Sequence, residues 1–332
     1  MDLVTGATGF IGSHLAERLV REGREVRVLV RKGSEDKLPH DVRHRLEIAN
    51  GDLRDRDSLF AATRGVERVY HCAGHVLDWG TAEEFQDMNV RATAWMLSAA
   101  EEAKVERFVH MSSIAVFGTP SPPSFDDATP YGTTTTDLYS KTKAAGEALV
   151  LDAAREGLPA TVLRPAVVYG PRGTWLEYPM QMIEQGKFFL LGGGTGTCHP
   201  CYIENLLDAT MLVAVHPDAI GEAFIVGDDD PITFEEYFGA VARIAGKERP
   251  KRSIPLGIAR LTAGAMELGA KAFRSSSRPL LTQSAIHMVT TKSSMSVAKL
   301  RNRLGWTPRY SFEKAIDELR SYYEDRARAV PV

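Results

Sequence analysis

The stretch that decides the fold is Gly6-Ala7-Thr8-Gly9-Phe10-Ile11-Gly12, a G-x-x-G-x-x-G pattern. It follows an apolar run at residues 3–4 and opens an amphipathic pattern over 11–22, so it predicts a tight turn between a strand and a helix. Glycines there let the backbone approach a diphosphate, to which the helix N-terminus presents free N–H groups and partial positive charge. We therefore predict a dinucleotide site that includes Gly6, Thr8, Gly9, Phe10, Ile11 and Gly12.

Short apolar runs alternate with helical patterns through the first half of the chain. The predicted strands are residues 3–4, 26–30, 46–49, 68–72, 107–111 and 160–163, and the predicted helices are 11–22, 56–63, 82–104 and 138–155. This alternation is typical of βαβ units, and continuous apolar strands indicate a sheet covered on both faces. The predicted fold class is α/β: a Rossmann doubly wound parallel sheet with a smaller, mostly α-helical C-terminal substrate domain.

The regular alternation fades after residue 163, where glycine-rich turns interrupt the chain. Helical patterns return at residues 176–184, 203–215, 233–245 and 311–324. We expect a dinucleotide-binding domain over residues 1–170, joined by a returning segment near 203–228. The substrate-binding domain is expected over 171–202 and 229–332. The stretch 119–136, rich in Pro, Thr and Ser, is predicted to be a loop that faces substrate.

Composition limits the class of protein. Of the 332 residues, 44% are apolar and 25% charged, which excludes a largely disordered or fibrous chain. Forty basic and 43 acidic residues give a net charge of −3, so nothing in the total charge calls for nucleic acid as a partner. We expect no signal peptide and, without an apolar run of about 18 residues, no transmembrane segment. Three cysteines are too few for a disulfide framework, so a cytoplasmic location is expected.

Two of the cysteines form a C-x-x-C in Cys198-His199-Pro200-Cys201. A redox site would need this motif at a helix N-terminus in a thioredoxin-like fold, and a zinc site would need further ligands at matching spacing. Neither context is apparent in the sequence. We therefore interpret the segment as a loop that enters a helix, and we predict no metal site.

The residues after the second predicted strand indicate which of the two nicotinamide dinucleotides binds. An acidic residue there would bind the ribose 2′-hydroxyl of NAD, but this chain has Arg31 and Lys32. A planar guanidinium suits a 2′-phosphate, so NADP(H) is expected to be preferred over NAD(H). In the cofactor site we also place Asp52-Leu53, where Asp52 either accepts from the adenine amino group or caps a helix. Ala73 follows the fourth strand, where a small residue lets a cofactor lie against the backbone.

Tyr139 and Lys143 stand four residues apart in a predicted helix, so their side chains share one face. A phenol ionises at about pH 10 and is a poor base at neutrality. A nearby ammonium and a positive nicotinamide ring would favour the tyrosinate, which can exchange a proton with a substrate alcohol or carbonyl. Ser113, after the fifth strand, can bind the same oxygen. We predict Ser113, Tyr139 and Lys143 as the catalytic group, with Lys143 also holding the cofactor ribose.

With these residues in this order, the chain resembles an extended short-chain dehydrogenase/reductase, of the NAD(P)-dependent epimerase/dehydratase superfamily. The resemblance spans nearly the whole chain and rests on residues 5–12, Asp52-Leu53, residues 72–74, Asn89-Val90, Ser112-Ser113, Tyr139 with Lys143, and Arg164-Pro165. It implies a Rossmann domain, a Ser/Tyr/Lys triad and a nicotinamide beside residues 165–168, which adds Pro165 and Val168 to the cofactor site. It also implies a homodimer through a four-helix bundle of residues 82–104 and 138–155.

Fewer residues indicate the branch within that family. Ile114-Ala115 stands where the dehydratases carry an Asp-Glu pair, which disfavours a sugar-nucleotide 4,6-dehydratase. Residues 202–206 and tail segments between 279 and 312 are similar to those of 3β-hydroxysteroid dehydrogenases and sterol-4α-carboxylate 3-dehydrogenases. Dihydroflavonol-reductase-like enzymes are also similar and share an Arg after the second strand. These likenesses imply interconversion of a secondary alcohol and a ketone on a bulky, apolar, sterol-like or other cyclic or lipid substrate.

Two other functions stay open at this stage. A sugar-nucleotide epimerase is the alternative, weakened because residues 197–201 lack the Arg that holds diphosphate in such enzymes, although Arg172 is available. The third is a non-catalytic protein that senses NADPH.

Residues 255–273 are apolar with few charges. They suit packing against the C-terminal domain, a lid, or a helix at a membrane surface, and packing is the favoured interpretation.

Overall fold

A seven-stranded parallel sheet lies at the centre of the computed structural model, which describes residues 1–76, 78–228, 231–273 and 277–329. Numbering every strand along the chain, the sheet consists of β1 (Asp2–Thr5), β2 (Val26–Val30), β3 (Leu46–Asn50), β4 (Arg68–His71), β5 (Arg107–Met111), β7 (Ala160–Pro165) and β12 (Ala223–Val226). Their order is β12-β7-β5-β4-β1-β2-β3, and each neighbouring pair is parallel. The predicted Rossmann-type α/β fold class is confirmed.

Both faces of the sheet are buried because successive strand residues point into different hydrophobic clusters. In β1, Val4 packs with residues of one helical layer, among them Leu15 and Leu206, whereas Leu3 packs with the other layer, among them Met96 and Val150. The continuous apolar strands of the sequence follow from this double coverage.

The helices include those predicted and several that were not. They are α1 (Phe10–Arg21), α2 (Arg56–Thr63), α3 (Ala82–Gln86), α4 (Ala92–Glu102), α5 (Leu138–Arg155), α6 (Thr174–Glu184), α7 (Ile203–Val213), α8 (Phe234–Ile244), α9 (Leu256–Ala272), α10 (Gln283–Thr290), α11 (Ala298–Leu304) and α12 (Phe312–Ala329). The sequence pattern did not predict α10 or α11. None of these helices is long and apolar enough to cross a bilayer.

Eight short strands of the described residues pair outside the central sheet. They are β6 (Ser124–Phe125), β8 (Val167–Tyr169), β9 (Leu190–Leu191), β10 (Thr197–Cys198), β11 (Pro200–Tyr202), β13 (Ile232–Thr233), β14 (Ser253–Ile254) and β15 (Ser294–Met295). The segment 119–136 is a loop apart from β6, which pairs with β15. Residues 229–230, 274–276 and 330–332 of the predicted substrate-binding domain lie outside the described residues.

The interpretation of residues 198–201 as a loop is wrong. Cys198 lies in β10, paired with β13, and Cys201 lies in β11, paired with β8, so the backbone of this stretch satisfies its hydrogen bonds as strand. Both thiols are free and fully buried, and burial raises their pKa well above the usual value. Such thiols are packing groups, since the thiolate is the reactive form.

The helix predicted over 82–104 contains a wider turn. Residues Asp87–Arg91 form a π-helical turn between α3 and α4, and Gly146 of α5 packs against it. A Cβ added at Gly146 would lie 2.2 Å from the backbone oxygen of Asn89. The two helices therefore approach as closely as they do only because position 146 has no side chain.

We expect Gly146→Ala to lower the free energy of unfolding by about 1–3 kcal/mol, the usual cost of forcing a methyl group into a packed contact. Gly269→Ala in α9 is the matched control, because a Cβ there would meet nothing within 4 Å. Since alanine favours a helix over glycine by up to about 1 kcal/mol, the control should be neutral or stabilising. Urea denaturation of both variants checks this, and equal stability of the two would contradict the packing argument.

Candidate active site

The glycine-rich turn is shaped by close backbone contacts that only glycine allows. Gly6 adopts φ +75°, and a Cβ there would lie 2.9 Å from the Ala73 nitrogen at the end of β4. A Cβ on Gly12 would lie 2.3 Å from the Gly6 oxygen. Helix α1 then begins at Phe10, and its N-cap, Gly9, provides no side chain to cap the first amide groups. The turn therefore fits a cofactor diphosphate, which these amides would bind.

The other predicted residues of the turn lie around this cradle. Thr8 and Ile11 are partly exposed, and the Phe10 ring packs edge-on against His14 at a centroid distance of 5.2 Å. Across the crevice, Ala73 donates its backbone N–H to the Thr5 hydroxyl at 3.2 Å. The carboxyl ends of β1 and β4 therefore lie together, as expected where a parallel sheet binds its ligand.

Basic side chains follow β2. Arg31 and Lys32 are exposed directly after its last residue. Burial acts to raise the pKa of the nearby Asp52, but hydrogen bonds from Arg54 and the charges of Arg54 and Arg31 outweigh it and hold that pKa below its usual value. The Arg31 guanidinium therefore lies close enough to Asp52 to act on its charge.

Asp52 does not cap a helix. It accepts hydrogen bonds from the Arg54 backbone nitrogen at 2.9 Å and the Arg54 Nε at 3.2 Å, whereas Asp55 is the N-cap of α2. Of the two roles considered for Asp52, helix capping is thus wrong. Leu53 is buried in the core beneath α2. It can contribute backbone but little side chain to a cofactor site.

Ser113 and Tyr139 meet at the carboxyl end of β5. Ser113 ends the extended backbone there, and its Oγ accepts the Ala115 N–H at 3.1 Å at the start of a 3₁₀ turn. Tyr139 stands in the first turn of α5, whose N-cap is Asp137. The Ser113 hydroxyl lies close enough to Tyr139 to act on its ionisation. This brings together two of the three predicted catalytic residues.

The ionisation of Tyr139 differs from expectation. Burial raises the pKa of Tyr139, the nearby Ser113 hydroxyl opposes this rise, and the Asp137 carboxylate adds to it. Without a cofactor, the Lys143 Nζ donates to the Met111 carbonyl oxygen at 2.6 Å. In the chain alone, Tyr139 is therefore protonated at neutral pH.

Lys143 is buried one helical turn beyond Tyr139. Burial lowers the pKa of Lys143 to about 8, although the Glu147 carboxylate and Cys72 act in the opposite direction. A buried ammonium needs acceptors for its three N–H groups, so Lys143 can bind any hydroxyl group that enters the site.

The remaining predicted residues lie at the end of β7 and just after it. Pro165 is the last residue of β7, and Val168 is buried in β8, which runs parallel to β11. Arg172, considered for binding diphosphate, instead pairs with Glu17 of α1 at 2.7 Å. No group of three or more His, Cys, Asp or Glu side chains that could hold a metal ion occurs among the described residues.

A buried ion pair behind the site was not predicted from the sequence. Glu147 Oε1 accepts from Arg164 Nη2 at 2.6 Å and Nε at 2.9 Å, and both side chains are almost fully buried. Glu147 Oε2 accepts from the Ser112 hydroxyl at 2.6 Å, and the Tyr131 hydroxyl donates to Oε1 at 3.1 Å. The signal was present, because Glu147 follows Tyr139 and Lys143 at the same four-residue spacing.

Asn89 is a second positioning residue whose contacts only the structure shows. Its side-chain oxygen accepts the His75 N–H at 2.7 Å, and its nitrogen donates to the His75 carbonyl at 3.1 Å and the Thr142 hydroxyl at 3.1 Å. Asn89 thereby fixes the loop after β4 against helix α5. The carboxyl end of β4 and the helix that carries Tyr139 therefore keep a fixed position relative to each other.

Comparison with known proteins identifies the group to which this site belongs. The sequence model of the NAD dependent epimerase/dehydratase family matches residues 3–227, so the chain belongs to that family. It is an NAD(P)-dependent oxidoreductase of the extended short-chain dehydrogenase/reductase type.

Individual relatives match almost the whole chain. A 3 beta-hydroxysteroid dehydrogenase/Delta 5-->4-isomerase of Mycobacterium tuberculosis is 30% identical, over 97% of this chain and 90% of its own. A 4-hydroxy-2-methyl-3-oxo-4-farnesyl-3,4-dihydroquinoline-1-oxide ketoreductase of Stigmatella aurantiaca is 28% identical, over 96% and 95%. Among solved structures, that of gox2253 is similar with a TM-score of 0.77 and 27% identity, covering 99% of both chains.

We expect Glu147→Gln to lower the free energy of unfolding by about 3 kcal/mol, because it leaves the buried Arg164 charge without its main partner. This decrease in the free energy of unfolding should lie at the lower end of what breaking a buried ion pair costs. The reason is that an Asp127 oxygen stays 3.9 Å from Arg164. Glu313→Gln is the control. It removes an ion pair with Arg243 in which both side chains are more than half exposed, and it should cost less than about 1 kcal/mol. Similar denaturation midpoints for the two variants would show that the buried pair is not a major support.

Proposed function

We propose that this chain is an NADP(H)-dependent oxidoreductase that interconverts a secondary alcohol and a ketone on a bulky apolar substrate. The observation that carries the proposal is the placement of Ser113 beside Tyr139 at the carboxyl end of β5, with Lys143 one turn further along α5. This group stands at the carboxyl edge of the sheet, where Gly6 packs against Ala73. A proton donor and a dinucleotide cradle thus share one crevice.

Each side chain has a distinct task in this proposal. Tyr139, protonated by virtue of its burial, donates its proton to the substrate oxygen when a ketone is reduced and takes it back in the reverse direction. Ser113 holds the same oxygen by a hydrogen bond. Lys143 exchanges its bond to the Met111 carbonyl for the cofactor ribose hydroxyls, and its charge then favours the tyrosinate. The dinucleotide supplies or accepts the hydride when bound.

The substrate class is inferred from the relatives and from what the site offers. The names of the two relatives specify a steroid and a farnesyl-bearing quinoline ketone, both bulky and largely apolar. A sugar nucleotide would need a cation for its diphosphate, and Arg172 is already paired with Glu17. A sterol-like or other cyclic or lipid-derived ketone therefore fits better than a sugar nucleotide. We propose that residues 171–202 and 229–332 select this substrate.

Replacement of Tyr139 by Phe should lower kcat for ketone reduction by about a hundredfold or more, because it removes the proton donor. NADPH binding, followed by thermal shift, should change little. Tyr322→Phe serves as the control, since Tyr322 is an exposed tyrosine in α12. The assay is NADPH oxidation against a panel of steroid and flavonoid-like ketones. If Y139F turned over as fast as the wild-type chain, Tyr139 would not be the acid.

The nucleotide preference depends on Arg31. We expect Arg31→Asp to raise KM for NADPH by about tenfold to a hundredfold, the usual value of a lost hydrogen bond to a charged group, and to spare NADH. Arg64→Asp is the matched control, because the Arg64 side chain is exposed at the C-terminal end of α2 and is not one of the predicted cofactor residues. A wild-type chain that uses NADH better than NADPH would overturn the preference, whatever the variant does.

A sugar-nucleotide epimerase would behave differently in the same assays. It would retain its cofactor through purification, gain thermal stability from UDP-sugars and catalyse no net oxidation of NADPH. That pattern would replace the ketone proposal. A homodimer through the region of α3 to α5, and a cytoplasmic location, stay predictions from the sequence.

A further inference from the structure

Helix α9 presents a row of apolar side chains to solvent. Ile258, Leu261 and Leu268 are 58%, 78% and 71% exposed, and Phe273, which directly follows the helix, is 89% exposed. Single exposed apolar residues are ordinary, but a continuous row indicates an interaction surface. The row repeats at alternating spacings of three and four residues, which keeps it on one face of a helix. We call it the α9 stripe: Ile258, Leu261, Ala265, Leu268 and Ala272.

The opposite face of α9 already packs against the protein. Ala259 and Ala263 are fully buried there and cluster with Ile286 of α10 and with Leu281. Packing against the C-terminal region, the interpretation favoured from the sequence, therefore accounts for the small alanines. It does not account for the larger apolar residues, which point the other way.

The charges beside the α9 stripe are basic. Arg260 and Lys271 of α9 are exposed, and Arg252 is exposed shortly before the helix begins. The only acidic residue in the sequence of α9 is Glu267, which is partly buried and accepts the Gln283 backbone N–H at 2.7 Å. The surface around the stripe thus combines exposed apolar side chains with net positive charge.

We propose that the α9 stripe binds an anionic lipid surface, with the helix lying in the plane of the interface. Its apolar side chains would enter the boundary between headgroups and acyl chains. Arg260 and Lys271 can extend their long side chains back to anionic headgroups while their methylene stems stay in the apolar layer. The inference does not depend on the proposed reaction.

Charge argues against a second copy of the chain as the occupant. A two-fold axis through the α9 stripe would bring the same surface of both copies together, and with it Arg260 and Lys271 of each. Like charges that face one another across an interface are unfavourable, and Glu267 is already engaged with Gln283. An anionic membrane surface offers the complementary charge that a second copy lacks.

Sedimentation of the full chain with lipid vesicles tests the proposal. The wild-type chain should bind vesicles of phosphatidylcholine and phosphatidylserine and should bind vesicles of phosphatidylcholine alone much more weakly. The double variant Leu261→Ser/Leu268→Ser, which removes apolar contact, should lower the partition coefficient by at least about tenfold. Arg260→Glu/Lys271→Glu, which reverses the charge, should have an effect of similar size.

Matched controls come from exposed residues elsewhere. Val215→Ser/Ile220→Ser removes two exposed apolar side chains outside α9, and Arg64→Glu reverses a charge outside α9, so both should bind vesicles like the wild-type chain. A single Leu268→Trp variant should show a blue-shifted emission difference from wild type when phosphatidylserine vesicles are added. Melting temperatures near the wild-type value confirm that each variant is folded.

Three results would overturn the proposal. In one, the wild-type chain ignores phosphatidylserine vesicles. In another, either α9 double variant binds them as well as the wild-type chain does. In the third, light scattering shows a dimer that Leu261→Ser/Leu268→Ser dissociates, which would assign the stripe to a second copy.

Discussion

The buried carboxylate of Glu147 holds the elements of the candidate active site together. It stands on α5, two helical turns from Tyr139, and accepts hydrogen bonds from Ser112 after β5 and from Arg164 of β7. Taking a carboxylate out of water costs several kcal/mol, which a matched cation and a full set of donors can offset. Because these partners come from separate elements, the carboxylate is satisfied only when α5 is docked in one register on the sheet.

A second constraint, at the other end of the crevice, is the need for glycine at two positions. Gly6 and Gly12 have no Cβ, so the first turn can close against β4 and the first helix can begin beside it. The ion pair sets the position of Tyr139 on α5, and the glycines set the shape of the turn that we propose for the dinucleotide. Since both are anchored to neighbouring strands of one sheet, their separation depends on strand pairing, and flexible loops contribute little to it.

The sequence predicts those parts of the molecule that local patterns determine. Helix α5 and strand β5 have the predicted bounds, because a continuous periodic run flanked by a cap or a turn is a local property. Residues 198–201 were misread because their strand pairing, with β8 and β13, joins segments distant in sequence. The site divides in the same way. Tyr139, Lys143 and the glycines were visible as spacings, whereas the partner of Glu147 and the bond that turns Lys143 toward Met111 depend on tertiary contact.

Because of the π turn at Asp87–Arg91, the geometry beside the candidate active site depends on the number of residues in this helix. Such a turn accommodates one residue more than an ordinary helical turn, so every side chain after it is rotated about the helix axis relative to those before it. Asn89 lies within this surplus turn and reaches both His75 and Thr142 from there. A helix shortened by a single residue at this point would lose the wide turn and would rotate the residues after it relative to the turn that holds Asn89 against His75 and Thr142. In this segment a deletion is therefore a more severe change than most substitutions.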